Sequence, residues 1–289
     1  MAEAPRVGIV ANPSKAGAKD LLKDLVKQFG EQGVPVVLED ETACLANFES
    51  GLPLAELSDQ IDLLVVLGGD GTILWVLRQL EEKIKPVAAI NTGTLGFLTS
   101  ATADESSDLV HAIVTGDYKT SQRVLIEGTL QREGKTLDNF FALNEVTLCR
   151  GVDSRVIHVE ANINGKRANR YTGDGLILAT PTGSTAYSLS AGGPLVQPGA
   201  SVFVVTPICP HTLANRPLVL DGSAHVVFEV PEQRDDLALM VDGQLVADLR
   251  EPATVDMRRA HFSLPLISLP GNNFYDVLHQ KLGWTGTTI

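Results

Sequence analysis

The chain has 289 residues, 44% hydrophobic and 20% charged, a composition suited to one large or two moderate globular domains with ample core. Its formal net charge of −12 excludes a general nucleic-acid binder, which needs a basic face, but is compatible with an anionic ligand held by glycine loops and Mg²⁺. Widely spaced Cys44, Cys149 and Cys209 form no disulfide framework and no metal-ligand cluster. With no apolar run near ~18 residues and no signal-peptide core at the N-terminus, they point to a reducing, cytoplasmic setting without a membrane partner.

In chain order, residues 6–11 read as a first strand that ends at Asn12-Pro13-Ser14. A helix is expected from about Ala16 to Gln32, with Leu21, Leu22, Leu25, Val26 and Phe29 on one face and Gly33 as its C-terminal cap. Val34–Leu38 makes a second strand, and the acidic residues 39–60 read as a loop with a short helix. The next stretch organises the rest of the chain. Ile61 to Leu67 is a nearly unbroken apolar run, as in a strand buried on both faces of a parallel sheet. Ile73, Leu74, Val76, Leu77 and Leu80 then recur in a helical rhythm, and between the two stand Gly68, Gly69, Asp70, Gly71 and Thr72. A strand, a glycine-rich turn and a helix N-terminus make an anion site, most often for phosphate. The acid is unusual there, because a carboxylate repels a phosphate unless it holds a metal or takes a proton from a reacting hydroxyl. The alternative is a tight turn whose Asp caps the helix. Pro86–Ile90 forms a further strand and runs into a second glycine-containing turn, Asn91 to Leu98. This alternation predicts a Rossmann-like parallel sheet, with ligands at the carboxyl ends of its strands, where both turns lie.

From about Ser100 the texture changes. A helix near Glu105–Val114 ends at Gly116, and short β-type runs follow: 124–130, Phe140–Leu148, Val156–Ile163, Val202–Ile208, His225–Val230 and Leu237–Val241. Turn signals such as Asn164-Gly165, Asp221-Gly222 and Asp242-Gly243 separate several of them, which predicts an antiparallel β-sandwich-like second domain. The richest segment is Tyr171–Pro198. Its strand Gly175–Ala179 meets a Thr-Pro-Thr-Gly-Ser-Thr turn, then small residues around Tyr187, closed by Gly192-Gly193. Spacing alone fits two readings equally: a nucleoside pocket with hydroxyls for a sugar and a ring for a base, or a small-residue turn with Tyr187 in the core.

Together these segments resemble the NAD kinase family. The resemblance rests on Gly68-Gly69-Asp70-Gly71-Thr72, on Asn144-Glu145, and on Gly173-Asp174-Gly175 through Ser190 with Gly192-Gly193-Pro194. Pro210-His211 with Arg216-Pro217, Asp242-Gly243-Gln244 and the tail Phe274–Trp284 add to it, so that it spans nearly the whole chain. Diacylglycerol and sphingosine kinases share the first motif; Thr180–Ser190 is far more specific. A lipid kinase would lack Asn144-Glu145 and that pocket, and a catalytically silent NAD(P)-binding sensor would be favoured by loss of Asp70 or of the glycines.

The resemblance implies transfer of the terminal phosphoryl group of ATP to the 2′-hydroxyl of the adenosine ribose of NAD, giving NADP, with Mg²⁺ or another divalent cation offsetting negative charge. Asp70 matches the family's catalytic aspartate and is assigned as general base, while Gly68, Gly69, Gly71 and Thr72 cradle phosphates. The implied nucleotide-binding residues are Asp70, Gly71, Asn144, Glu145, Asp174, Thr185, Ala186, Tyr187, Ser188, Leu189 and Ser190. Arg155 and Gln244 fall at further ligand contacts, some reaching across a subunit interface. Thr172, two residues before Asp174, stands where relatives carry a basic residue or glycine near the phosphates; polyphosphate therefore stays open as a donor, with ATP favoured. The architecture implied is an N-terminal α/β phosphate-donor domain (1–99, joined by the returning segment 266–289) and a β-rich NAD-binding domain (100–265). Asn272-Asn273 caps an amphipathic helix in the returning segment, and a homodimer or homotetramer is expected.

Overall fold

The apolar runs of the first part of the chain form parallel strands separated by helices. In order these are β1 (Val7–Ala11), α1 (Ala18–Glu31), β2 (Val36–Leu38), α2 (Asp40–Ala46), α3 (Leu54–Gln60), β3 (Leu63–Leu67), α4 (Asp70–Leu80), β4 (Val87–Asn91), β5 (Ala101–Thr102) and α5 (Ser106–Thr115). The structure, a computed structural model, describes residues 4–93, 96–151, 156–212, 214–231 and 237–283. Every residue of β1, β3 and β4 is buried, as strands covered on both faces require. Because side chains alternate along β3, Leu63, Val65 and Leu67 join one core with Leu22, Leu25 and Phe29 of α1 and Leu109 and Ile113 of α5, whereas Leu64 and Val66 are buried on the opposite face. The strand order is β2-β1-β3-β4, all parallel. The order reverses between β1 and β3, and in such sheets ligands bind in the crevice at that switch, beyond the carboxyl ends of the strands. Residues 39–60 hold two short helices rather than one. The buried Glu39 carboxylate accepts the Glu41 and Thr42 amides and so starts α2, a cap that the acidic local sequence conceals.

The later part of the chain is mostly antiparallel: β6 (Lys119–Arg132), β7 (Lys135–Ala142), β8 (Glu145–Arg150), β9 (Ile157–Ile163), β10 (Lys166–Gly173), β11 (Gly175–Ala179), one-turn α6 (Tyr187–Ser190), β12 (Val202–Ile208), β13 (Leu218–Asp221), β14 (Val226–Val230), β15 (Leu237–Val241), β16 (Gln244–Leu249) and β17 (Ala253–Ser268), before α7 (Phe274–Leu282). One six-stranded sheet runs β13-β12-β11-β8-β15-β16. A second ladder runs β10-β9-β14-β17, with β6 beside β17 and β7 beside β6. Val146, Leu148, Leu176 and Phe203 from the first share a single core with Val159, Phe228 and Val255 from the second, which makes a β-sandwich. The expected strand over 140–148 is two strands, interrupted at Leu143-Asn144. Strand β10 escapes sequence reading because Lys166-Arg167-Ala168-Asn169-Arg170 is polar and only Tyr171 and Gly173 at its end are fully buried.

The chain divides into two compact units, Met1–Gln122 with Leu264–Ile289, and Arg123–Ser263. Helix α5 packs against α1, so residues 100–122 fall with the α/β unit, beyond the change of texture near Ser100. The last residues of β17 lie in this first unit, where Leu266 pairs in parallel with Val87. Helix α7 follows, capped by Asn273, whose side chain accepts the Tyr275 and Asp276 amides.

Candidate active site

In the α/β unit, Asp70 is the first residue of α4 and Gly69 is its N-cap, with the Thr72 amide returning to the Gly69 carbonyl at 2.9 Å. The Asp70 carboxylate does not cap its own helix. It reaches the second glycine turn, where Oδ2 accepts the Phe97 amide at 3.0 Å and Oδ1 the Leu98 amide at 3.1 Å. Gly96 permits this approach: a Cβ there would overlap Asp70 Oδ1 and lie 2.7 Å from Cγ. The N-capping alternative is therefore excluded. Thr72 Oγ1 accepts from Asn12 Nδ2 at 3.3 Å, and the Asn12 amide donates to the Leu67 carbonyl at 2.9 Å, which ties the carboxyl ends of β1 and β3 together at the switch point. A Cβ on Gly69 or Gly71 would meet nothing within 4 Å. Open space at the positive end of a helix is where phosphate oxygens fit. A cavity of about 290 Å³ adjoins it, lined by Asn12, Pro13, Glu39, Glu41, Thr72 and Trp75 among others.

In the β unit, β8 lies between β11 and β15, pairing Glu145 with Ala179 and Val146 with Val241. That register brings the turns at 143–144, 180–185 and 242–243 together at one end of the central strands β11, β8 and β15. Asp242 anchors them. Its carboxylate accepts the amides of Leu143 (2.9 Å), Asn144 (2.7 Å) and Glu145 (3.0 Å), which diverts those amides from any ladder and breaks the strand there. Thr180 closes the other side, its amide donating to the Asn144 carbonyl at 2.9 Å and its hydroxyl to the Leu143 carbonyl at 2.5 Å. Glu145 is only 5% exposed. Burial pushes its carboxyl up to about 8, the Asp242 charge adds to the shift, and the Tyr187 backbone N–H offsets part of it. Glu145 Oε2 and Thr182 Oγ1 are both buried without a hydrogen-bond partner among the described residues. Orphaned atoms of this kind are satisfied by a ligand or water.

Tyr187 is 45% exposed, so it is not a core residue. Its phenol is pushed above the usual value by burial and then by Cys149, Cys209, Asp174 and Glu145. Gly183 lets the turn lie against β8: a Cβ there would stand 2.7 Å from Asn144 Cα and overlap the Asn144 carbonyl, with no side chain able to yield. Gly183→Ala is expected to cost about 2 kcal/mol or more in denaturant unfolding. Gly199→Ala, where a Cβ meets nothing within 4 Å, is expected to stay within about 0.5 kcal/mol. Equal stability of the two variants would show that the turn shifts freely.

Family profiles described as the ATP-NAD kinase N-terminal and C-terminal domains match residues 7–118 and 143–269. The chain belongs to the NAD kinase family. It is 37% identical over 280 residues to the NAD kinase of Syntrophotalea carbinolica, covering 96% of this chain and 98% of that one. It is 36% identical over 277 residues to the NAD kinase of Solibacter usitatus, covering 96% of each. Among solved structures, yeast NADH kinase complexed with NADH superposes with a TM-score of 0.89 at 28% identity, over 98% of this chain and 89% of that one. An NAD kinase from Archaeoglobus fulgidus in complex with ATP gives 0.72 at 25% identity, over 97% and 100%. The α/β sheet followed by a β-sandwich is thus the two-domain NAD kinase fold, and the chain is an enzyme of that kinase family.

Of the residues that the NAD kinase resemblance singles out, Gly68, Gly69, Asp70, Gly71 and Thr72 lie together at the switch point of the α/β sheet. Asn144 and Glu145 lie at the start of β8, and Thr185, Ala186, Tyr187, Leu189 and Ser190 in the turn after β11 and in α6 of the β unit. Ser188 is turned inward: its side chain is fully buried and its hydroxyl meets Thr206 Oγ1 at 2.9 Å, so only its backbone is left for a ligand. Asp174 sits at the far end of β11 and accepts from Arg150 Nε at 2.8 Å. Thr172 Oγ1 meets His158 Nδ1 at 2.9 Å, and the Thr172 carbonyl accepts the His211 amide at 2.9 Å. Gln244 is exposed at the start of β16, directly after the Asp242-Gly243 turn. Arg155 lies outside the described residues. Sequence reading alone assigns no role to the anchoring by Asp242, the Arg150–Asp174 pair or the close approach at Gly96. Asp242-Gly243 signals only a turn, and the other two have no local signal.

Proposed function

We propose that the chain is an NAD kinase that transfers the terminal phosphoryl group of ATP to the 2′-hydroxyl of the adenosine ribose of NAD, giving NADP. The observation that carries this reading is Asp70, a carboxylate at the first turn of the phosphate-loop helix, held there by two backbone amides. Such a group serves an acceptor hydroxyl rather than the phosphate it would repel. In the step, the 2′-oxygen bonds to the γ-phosphorus, the bond from that phosphorus to the β–γ bridging oxygen breaks, ADP leaves, and Asp70 takes the hydroxyl proton. Gly68, Gly69, Gly71 and Thr72 receive the donor phosphates. Asn144, Glu145, Asp174, Thr185, Ala186, Tyr187 and Ser190 hold NAD, with Arg155 and Gln244 as further contacts. The ribose hydroxyls suit the orphaned Glu145 Oε2 and Thr182 Oγ1, and the half-exposed Tyr187 ring suits a base.

ATP is favoured over polyphosphate by the cavity beside the phosphate loop. Trp75 offers a ring for stacking, and Glu41 accepts from nucleoside hydroxyls or amines but repels a polyanionic chain. Among the described residues no group of three or more His, Cys, Asp or Glu side chains could hold a metal ion. Mg²⁺ is usually bound through substrate phosphates and few protein ligands, and we read the cation as arriving on the donor. When bound it neutralises the charge that develops on the transferred group. We read the α/β unit as the donor side and the β-rich unit as the NAD side of a cytoplasmic homodimer or homotetramer. No described helix is long and apolar enough to cross a membrane, and the three cysteines are unpaired.

The test is NADP formation from NAD, Mg²⁺ and ATP, coupled to an NADP-specific dehydrogenase, with parallel wells in which polyphosphate replaces ATP or NADH replaces NAD. Product is expected with ATP, and at least about tenfold less with polyphosphate. No product from folded protein that binds NAD would favour a silent sensor; no product and no NAD binding would overturn the substrate assignment itself.

A further inference from the structure

We propose that Phe274, on the C-terminal helix α7, is a positioning residue for Asp70, acting through the backbone of residues 96–98. The inference rests on the reading of Asp70 as the reacting base. The Phe274 ring lies against the Phe97 ring, with centroids 6.4 Å apart and planes at 47°. The Phe97 amide is one of the two that hold the Asp70 carboxylate, and the amide of its buried neighbour Leu98 is the other. The same C-terminal segment fixes the far end of this turn. Ser100 Oγ donates to the Ile267 carbonyl at 2.5 Å and accepts the Ala89 amide at 3.0 Å, and Asn272 Nδ2 donates to the Ser100 carbonyl at 2.8 Å. Residues 267, 272 and 274 thus hold the segment 97–100, and 97–98 hold Asp70.

Two further features fit a positioning role rather than core packing. Leu278 is the fully buried residue of α7, whereas Phe274 is half-buried and faces the turn. Gly96 sits so close beneath the carboxylate that no Cβ fits, so the turn and Asp70 move as one. Proton transfer needs a base within about 2.6–3.2 Å of the hydroxyl it serves, and a misplacement near 1 Å costs on the order of a hundredfold in rate. Removing the Phe274 ring frees Phe97 to swing, lengthens both N–H···O contacts and lets the Asp70 side chain leave its rotamer.

The experiment compares Phe274→Ala, Phe274→Tyr, Gly96→Ala and Asp70→Asn in the full chain. Phe274→Ala is expected to lower kcat by at least about tenfold while KM for NAD and for ATP stays within about twofold. Phe274→Tyr, which keeps the ring, is expected to restore most of kcat, and Gly96→Ala to repeat the kcat-selective loss. In the Asp70→Asn background, Phe274→Ala is expected to change the residual single-turnover rate by less than about twofold, because the group it positions is already gone. Unchanged kcat in Phe274→Ala, a rise in KM in place of the fall in kcat, or no rescue by tyrosine would each overturn the inference. Should Phe274→Ala not fold, Phe274→Leu and Gly96→Ala carry the same readout. Near-normal turnover by Asp70→Asn would instead remove the base reading, an outcome distinct from failure of the Phe274 variants.

Discussion

Asp70→Asn is expected to lower turnover by about 10³-fold while NAD and ATP bind within a few-fold of their original affinity. The amide cannot accept a proton, which removes the general base, and it is nearly isosteric, which leaves the shape of the turn. Its one structural penalty is local. Asp70 uses both oxygens to accept backbone N–H groups, from Phe97 and Leu98, so the new NH₂ must face a donor. Leaving one buried donor unpaired costs about 1–3 kcal/mol, which a thermal melt would register as a few degrees. The decisive comparison is therefore kcat from the coupled assay against dissociation constants from calorimetry, on protein whose melting curve shows it folded. Parallel loss of affinity and turnover would make Asp70 a structural residue and shift the base to another group.

Glu145→Gln is expected to change how stability depends on pH. Burial, reinforced by the Asp242 charge, raises the folded-state pKa of Glu145 from 4.5 to about 8. The folded protein thus keeps a proton that the unfolded chain has released across this window. A group with a raised folded pKa contributes its stability fully below the unfolded value and loses it as pH rises through the folded value. Below about pH 4.5 both states are protonated; between about 4.5 and 8 the native state becomes progressively less stable; above about 8 the loss is complete. The full effect is roughly 3–5 kcal/mol. Glutamine is similar in shape and does not titrate. The variant should match the original protein near pH 5 and be more stable near pH 8, read as the difference between two urea-unfolding series. Curves that stay parallel from pH 5 to 8 would mean that Glu145 is ionised in the native state and balanced by a group other than those packed around it.

Much of the fold is legible in the sequence because its causes are local. The unbroken apolar run before Gly68 becomes β3, the helical rhythm after Thr72 becomes α4, and α1 and α7 appear where their apolar faces and the Gly33 and Asn273 caps place them. Strand runs and helix starts of this kind depend on residues a few positions apart. The glycine-rich turn is equally local, so Gly68–Thr72 is found from the sequence alone. Asn144 and Glu145 are different, since only resemblance to a family singles them out. Within one sequence they are an unremarked polar pair in an apolar run.

The tertiary structure decides the electrostatic and steric state of those residues, because their partners are far away in sequence. Asp242 orders the amides of 143–145 from 97 to 99 positions downstream, and by its charge helps set the protonation of Glu145. Asp70 is held from 27 and 28 positions away, and Ser100 bonds a carbonyl 167 positions on. Spacing left Tyr187 equally a core residue or a pocket wall, and its exposure settles that it is not core. By itself the sequence determined the alternation of strands and helices in the α/β part, the β-rich texture that follows, the glycine-rich turn and the chemistry available at each position. Which carboxylate is buried, which is held by backbone amides and which atoms are left without partners follow only from the packing of distant segments, because desolvation and hydrogen bonding depend on what the folded chain brings into contact.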